Sequence, residues 1–334
     1  MDNPFPQDPL TSSWWPYIIG LVVAVVTCIR SYMGGQDCPT AERIDGKRVI
    51  ITGSSSGMGY QTALQLASRG GEIMLACRDM TGANTAAKRI TRKVKDAKII
   101  VKKIDLSSLH SIHQFVETLD WESVDILINN AGIAFCPFEK TEEGFEQHFV
   151  SNYLGHFLLT HLLLPKLEAA PNARVINVSS QAHMAGDINL SDLNRETNYT
   201  AREAFGQSKL ALVLMAREMA KRMKGSTVTV NALNPGLVRS TRHMRRSPLS
   251  SSIIIKFAVY PWMWLLMKNP AQGAQTSIYL SVAPELSDVT GRYFSDCQAV
   301  DPSQCAQDEN LAADLYEKSC QLVNIKPLPK SKSE

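Results

Sequence analysis

The chain has no Cys-x-x-Cys pair and no His-Glu-x-x-His, and its seven cysteines are scattered and odd in number. That pattern argues against a disulfide framework and against a zinc site, and it suits a reducing compartment; no metal is expected. Net charge is small: at +3 it gives no reason to expect nucleic acid as a partner. Basic residues are missing altogether from positions 1–13, which hold Asp2 and Asp8. With 44% hydrophobic and 20% charged residues, the 334-residue chain reads as a folded globular protein with ample core.

What the N-terminal region does contain is Trp14-Trp15-Pro16-Tyr17, followed by an unbroken apolar run from Ile18 to Val26 and then Arg30. Interfacial aromatics, an apolar middle and a terminal arginine resemble a membrane span. Residues 14–33 suffice to cross at roughly 1.5 Å per residue, with Arg30 snorkelling to the interface. A cleaved signal peptide fits poorly, because the preceding residues are acidic and no small-residue cleavage site follows. The expectation is an uncleaved anchor at 14–33, flanked by residues 1–13 and a linker at 34–45. Arg30, Arg43, Lys47 and Arg48 follow the span and no basic residue precedes it, which places the body on the cytosolic face.

Past the linker, Arg48-Val49-Ile50-Ile51 reads as a buried strand. It runs into Thr52-Gly53-Ser54-Ser55-Ser56-Gly57-Met58-Gly59 and a helical pattern from Tyr60 to Arg69. Strand, glycine turn and helix make an anion site, since the helix N-terminus supplies free N–H groups and a positive dipole end. The spacing G-x-x-x-G-x-G is weak evidence alone, and its context strengthens it. Further strands are expected at 72–77, 98–104, 124–129, 174–179 and 227–233, and a last one at 289–294. Helical stretches lie between them, the longest at 141–167. Repeated β-α units predict an α/β fold, a doubly wound parallel sheet of Rossmann type in a single domain over 46–325. Ligands then bind beyond the carboxyl ends of the strands.

Those strand ends carry the candidate residues. Gly53, Ser55, Gly57, Met58 and Gly59 follow the first strand and would hold a pyrophosphate. After the second stands Arg78 rather than an acid; a guanidinium suits a ribose 2′-phosphate and favours NADP(H) over NAD(H). A solvent-facing arginine paired with Asp79 is the bland alternative. After the third come Asp105 and Leu106, the carboxylate either meeting an adenine amino group or capping the next helix. Asn130 and Ala131 follow the fourth, where Asn130 either bonds the ribose or ties strands together. Ser179 and Ser180 end the fifth. Pro235, Gly236, Val238 and Ser240 form a turn after the sixth that would meet a nicotinamide amide.

In that order, the glycine loop, Asn129-Asn130-Ala131-Gly132, the serine pair and the Pro-Gly turn resemble the short-chain dehydrogenase/reductase superfamily over roughly residues 45–300. Ala76-Cys77-Arg78-Asp79, the run from Asn152 to Thr160 and Asn177-Val178-Ser179-Ser180 are similar to the membrane-anchored retinol dehydrogenases. The run Gln207 to Leu214 is also close to the polyprenol dehydrogenase (dolichal reductase) branch. The resemblance implies hydride transfer between a nicotinamide cofactor and a lipophilic alcohol/aldehyde pair. It also implies a homodimer through the long helices after strands four and five. By matching motifs, Asn152 would hold a relay water, Ser180 (with Ser179 as runner-up) would orient the substrate oxygen, and Lys209 would both touch the cofactor and favour a phenolate.

The phenolate is what is missing. Four residues before Lys209 stands Phe205, where the family's Tyr-x-x-x-Lys motif has its proton donor. Tyr199 is not at the right spacing, and His183 is the nearest spare donor. The chain is thus a non-catalytic relative, a slow enzyme using His183 or water, or a tyrosine-to-phenylalanine variant of an active one. Residues 239–268 combine a basic patch with the aromatic, Met-rich segment 253–267, and are expected to cover the substrate pocket as a lid resting on the bilayer; an ordinary core or subunit helix is the alternative. Lys256 and Pro261 argue against a second span. Residues 326–334 are expected to be a disordered tail, ending in Lys330-Ser331-Lys332-Ser333-Glu334, which resembles a retrieval signal for the endoplasmic reticulum.

Overall fold

In this computed structural model the described residues are 14–239 and 261–330, so Ser240, residues 240–260 of the expected lid, the flank 1–13 and the last four residues lie outside them. Eight strands form one sheet in the order β3-β2-β1-β4-β5-β6-β7-β8. They are β1 (Arg48–Thr52), β2 (Glu72–Cys77), β3 (Ile99–Lys103), β4 (Ile126–Asn129), β5 (Ala173–Val178), β6 (Val228–Asn234), β7 (Tyr293–Ser295) and β8 (Gln298–Val300). The first seven pair in parallel and β8 turns back antiparallel on β7. The order reverses between β1 and β4, which opens a crevice above their carboxyl ends.

Alternation along each strand feeds two cores, as a period of two requires. Ile50, Met74 and Ala76 face one layer, while Val49, Ile51, Ile73 and Leu75 face the other. The second layer holds α2 (Gly57–Ser68) and α3 (Met80–Lys93); the first holds α4 (Leu109–Glu117), α5 (Gly155–Glu168) and α6 (Ala201–Arg222). Each fully buried Ile or Leu contributes about 1.5–3 kcal/mol to this packing.

The expected long helix at 141–167 is shorter. Thr141 and Phe145 close a hydrogen-bonded turn through Gly144 at φ +84°, and Lys140 bridges Glu146, so helix begins only after that hairpin. It opens as a π-helical stretch, Phe149–Leu154, before α5. The linker is not a free tether: Ile44 is buried in the second core, and the Cys38 N–H donates to Gln275 Oε1 at 3.0 Å. Nor is the tail free from Lys326 onward, because Leu328 accepts from Arg222 and donates to the Tyr316 hydroxyl.

The helices expected to form a dimer carry a packed element of this same chain. A C-terminal helix, Glu309–Leu322, lies across α5 and α6. The Tyr153 hydroxyl meets Ser319 Oγ at 2.7 Å, His161 Nε2 meets the Tyr316 hydroxyl at 2.8 Å, and the Arg222 guanidinium sits 4.0 Å from the Tyr316 ring centre while pairing with Glu317. A partner using those helices would have to displace this one. At the other end, α1 (Trp15–Gly34) is 20 residues long, with Tyr17, Leu21 and Val23 more than half exposed. It is long and apolar enough to cross a membrane.

Candidate active site

The turn after β1 is built by close packing. Gly53 has φ +66°, and a Cβ there would stand 2.8 Å from Ala131 Cα. A Cβ on Gly59 would come within 2.5 Å of Asn130 Nδ2 and 2.8 Å of the Gly53 carbonyl. The turn therefore sits directly against the end of β4. Thr52 fastens the two: its hydroxyl accepts the Asn130 and Ala131 N–H groups, both at 2.9 Å, and the Asn130 amide donates to the Thr52 carbonyl at 2.8 Å. Asn130 thus ties strands. At the start of α2, Ser56 makes no side-chain cap, which leaves the first-turn N–H groups for an anion.

Two cavities meet over this turn. The first, about 310 Å³, is lined by Gly53, Ser55, Gly57, Met58, Gly59, Arg78, Asp105, Leu106, Asn130 and Ala131. The second, about 590 Å³, is lined by apolar Ala134, Phe135, Met184, Leu237 and Met267 together with Ser180, Phe205, Lys209, Pro235, Gly236 and Val238. Met58, Asn130 and Gly132 belong to both. Arg78 pairs with Asp105 at 3.8 Å, a half-exposed contact of small worth that leaves the guanidinium beside the Ser55 turn. Asp105 does not cap α4. Its carboxylate holds the Ser107 N–H and hydroxyl, and Ser108 is the cap.

Both serines line the second cavity. Ser179 is buried and its hydroxyl donates to the Lys209 carbonyl at 2.7 Å, whereas Ser180 is half-buried and its hydroxyl accepts the Ala182 N–H at 3.2 Å. Lys209 is buried, donates to the Val178 carbonyl at 2.9 Å, and stands 5.8 Å from the centre of the Phe205 ring. Burial pushes its ammonium down to about 8, so it remains charged at neutral pH. The Phe205 ring packs 5.4 Å from that of Phe135 and offers no polar atom.

Asn152 sits on the π-helical stretch, a geometry common at functional sites. Its side chain is spent on the loop after β4, accepting from the Ile133 N–H at 2.8 Å and donating to the Ile133 carbonyl and Ser208 Oγ. It lines neither cavity, though its Oδ1 faces the space above Gly132 next to Lys209.

The spare donor, His183, does not line the second cavity, and neither does Tyr199. His183 is buried, its Nδ1–H donating to the Ser180 carbonyl at 2.8 Å while Nε2 accepts the Ser303 N–H at 3.1 Å. Tyr199 donates to the Cys136 carbonyl at 2.8 Å, and burial beside Glu146 raises its phenol above the ordinary value.

Comparisons with known proteins agree with this layout. A family model described as short chain dehydrogenase matches residues 47–249. Retinol dehydrogenase 13 of Mus musculus is 45% identical over 311 residues, covering 92% of this chain and 93% of the relative. The chain belongs to the short chain dehydrogenase family. Within it, the chain falls in the retinol dehydrogenase-like branch, with retinol dehydrogenase 12 of Homo sapiens 42% identical over 90% of this chain and 94% of that one. An uncharacterised protein of Mycobacterium paratuberculosis, 31% identical, superposes with a TM-score of 0.72 over 88% of this chain and 99% of its own.

In this short chain dehydrogenase several site residues have contacts that a motif reading does not show. Thr52 and His156 lie in quoted runs, but their pairing does not show there: His156 Nε2 accepts from the Thr52 hydroxyl at 2.9 Å across 104 residues, and its Nδ1–H donates one turn back to the Asn152 carbonyl. Ser208 accepts from the Asn152 amide, a role that its place beside Lys209 in the run Gln207 to Leu214 does not show. A buried cluster of Cys136, Glu146 and His148 backs the Phe205 ring, with His148 Nδ1 2.7 Å from Glu146 Oε1. Cys136 comes from a loop, Glu146 from the hairpin and His148 from the first helical turn after it, so no single periodicity marks the three.

Proposed function

We propose that the chain binds NADP(H) in the first cavity and interconverts a lipophilic, retinoid-like alcohol with its aldehyde in the second, with turnover held down by Phe205. The carrying observation is the shared wall of Met58, Asn130 and Gly132 between an anion-suited cavity and an apolar one. The uncapped start of α2 and the guanidinium of Arg78 fit a phosphorylated dinucleotide. When bound, the cofactor supplies the hydride. The relatives' names point to a retinoid; a polyprenal is the second substrate class.

The chain's own residues do the rest. Ser180 orients the substrate oxygen, and buried Lys209 supplies positive charge beside it. Reduction needs a proton at that oxygen, and Phe205 has none to give; in this reading water entering the cleft delivers it, slowly. Loss of a placed general acid costs about 10²–10⁴-fold. A second reading, a cofactor-binding protein that senses lipid or a partner without turnover, rests on the same Phe205. For localisation we propose the endoplasmic reticulum membrane with the domain cytosolic, supported by α1 and the basic residues after it. No dimer is proposed through α5 and α6, which the C-terminal helix covers.

The test compares the native chain with Phe205→Tyr in detergent. NADPH binding is read by fluorescence, and its oxidation is followed with retinal and with a polyprenal. The expected result is equal NADPH affinity and turnover raised by about 10²-fold or more in the tyrosine variant. If neither variant turns over while both bind NADPH, the sensor reading replaces the enzyme. If neither binds NADPH, the cofactor site is wrong.

A further inference from the structure

The apolar N-terminal helix does not end clear of the domain. Arg30, one turn before its end, donates from Nη1 to the carbonyls of Trp264 (2.6 Å) and Met267 (3.0 Å), and its guanidinium stacks 5.2 Å from the centre of the Trp264 ring. Residues 261–266 are helical and Met267 follows them, so the Trp264 carbonyl belongs to the last turn, where helix carbonyls lack onward partners, and that of Met267 lies just past the end. A cation there also meets the negative end of the helix dipole.

The clasped segment is part of the substrate cavity. Met267 lines the apolar cavity beside Phe205 and Lys209. The next residue, Lys268, pairs with the Pro-Gly turn: its N–H donates to the Leu237 carbonyl at 2.8 Å, and its carbonyl accepts from Arg239 at 2.9 Å. Leu237 and Val238 line the same cavity. A further cavity of about 730 Å³ shares Gln181, Met184, Gly236 and Leu237 with it and is bounded on its far side by Tyr32 and Met33 of α1. Trp262, Trp264 and Leu266 stay exposed at the end of α1, the level at which aromatic rings meet a bilayer surface.

We infer that Arg30 is a positioning residue for substrate: it clasps the 264–267 turn and, through Lys268, the Leu237–Arg239 edge, holding the mouth of the apolar cavity at the membrane end of α1. The cavity then takes its ligand from the bilayer. The inference rests on the proposed reading of that cavity as the substrate site and of α1 as a span. Arg30 is thereby part of the binding machinery and more than a snorkelling end residue.

The test uses the full chain in phosphatidylcholine nanodiscs, native and Arg30→Met, with all-trans-retinal added to the lipid. Hydrogen exchange of residues 261–268 and 237–239 is compared with that of β1 and β4. Arg30→Met is expected to speed exchange in the first two segments at least 5-fold while β1 and β4 hold, and to weaken retinal binding about 10-fold with NADPH affinity unchanged. Unchanged exchange at 261–268 overturns the clasp. Faster exchange with undiminished retinal affinity overturns the positioning role. If Arg30→Met also loses NADPH binding, Arg30→Lys, which keeps the charge without the planar fork, is held to the same criteria with a smaller expected loss. Absence of retinal binding in the native chain overturns the retinoid reading instead, and the exchange comparison still decides the clasp.

Discussion

His156 is enclosed on every side, and burial, with the Lys209 charge nearby, pushes its imidazole down to about 4. In the unfolded chain it titrates near 6.5, so between those values the unfolded state binds the extra proton. Its share of stability is therefore complete above pH 6.5 and is lost as pH falls through 4, a loss of about 3 kcal/mol. His161, also pushed down to about 4 by burial, adds to the same slope. Denaturation midpoints taken from pH 7 to pH 4 are expected to fall for the native chain and to fall less steeply for His156→Gln. Equal slopes mean that the ring is solvated. The run from Asn152 to Thr160 contains this residue without showing its role: the Asn152 carbonyl is one helical turn away, but Thr52 is brought to it only by the fold. By contrast, the missing phenol at position 205 is plain in the sequence, since helical spacing to Lys209 needs no tertiary knowledge.

At the level of elements, the proposed preference for NADP(H) is tested at the end of β2. Asp79 caps α3 by accepting the Gly82 N–H at 2.9 Å, which fixes the turn and leaves Arg78 at the rim of the first cavity. Charge-assisted hydrogen bonds are worth about 1.5–3 kcal/mol, so Arg78→Ala is expected to weaken NADPH roughly 10–150-fold and to leave NADH within about twofold. Equal losses for both cofactors, measured by titration of nucleotide fluorescence, would assign Arg78 to fold maintenance. The strands that carry such sites were legible because buried β-branched runs such as Val49-Ile50-Ile51 have few other readings. β8 was not, for Gln298-Ala299-Val300 is exposed and carries no burial signal. The 141–146 hairpin was missed for a related reason: its Gly144 turn interrupts an otherwise helical composition.

At the scale of the whole molecule, two apolar surfaces have opposite fates. That of α5 and α6 is covered from within by Glu309–Leu322, whereas that of α1 stays bare along most of its length. A bare apolar helix of 20 residues, about 30 Å long, matches the thickness of a bilayer core. Its one hydroxyl bonded within the helix, Thr27 to the Val23 carbonyl, would not oppose insertion. Replacing Leu21 and Val22 by arginine costs insertion about 2.5–3.5 kcal/mol each. Translated into microsomes, the native chain is expected to stay with the pellet after alkaline carbonate and the double variant to move to the supernatant. Protease added outside should digest the domain and spare an epitope placed before Trp14. Extraction of the native chain would mean that α1 lies against protein or at the membrane surface, and the mouth of the apolar cavity would then lose its route to the bilayer.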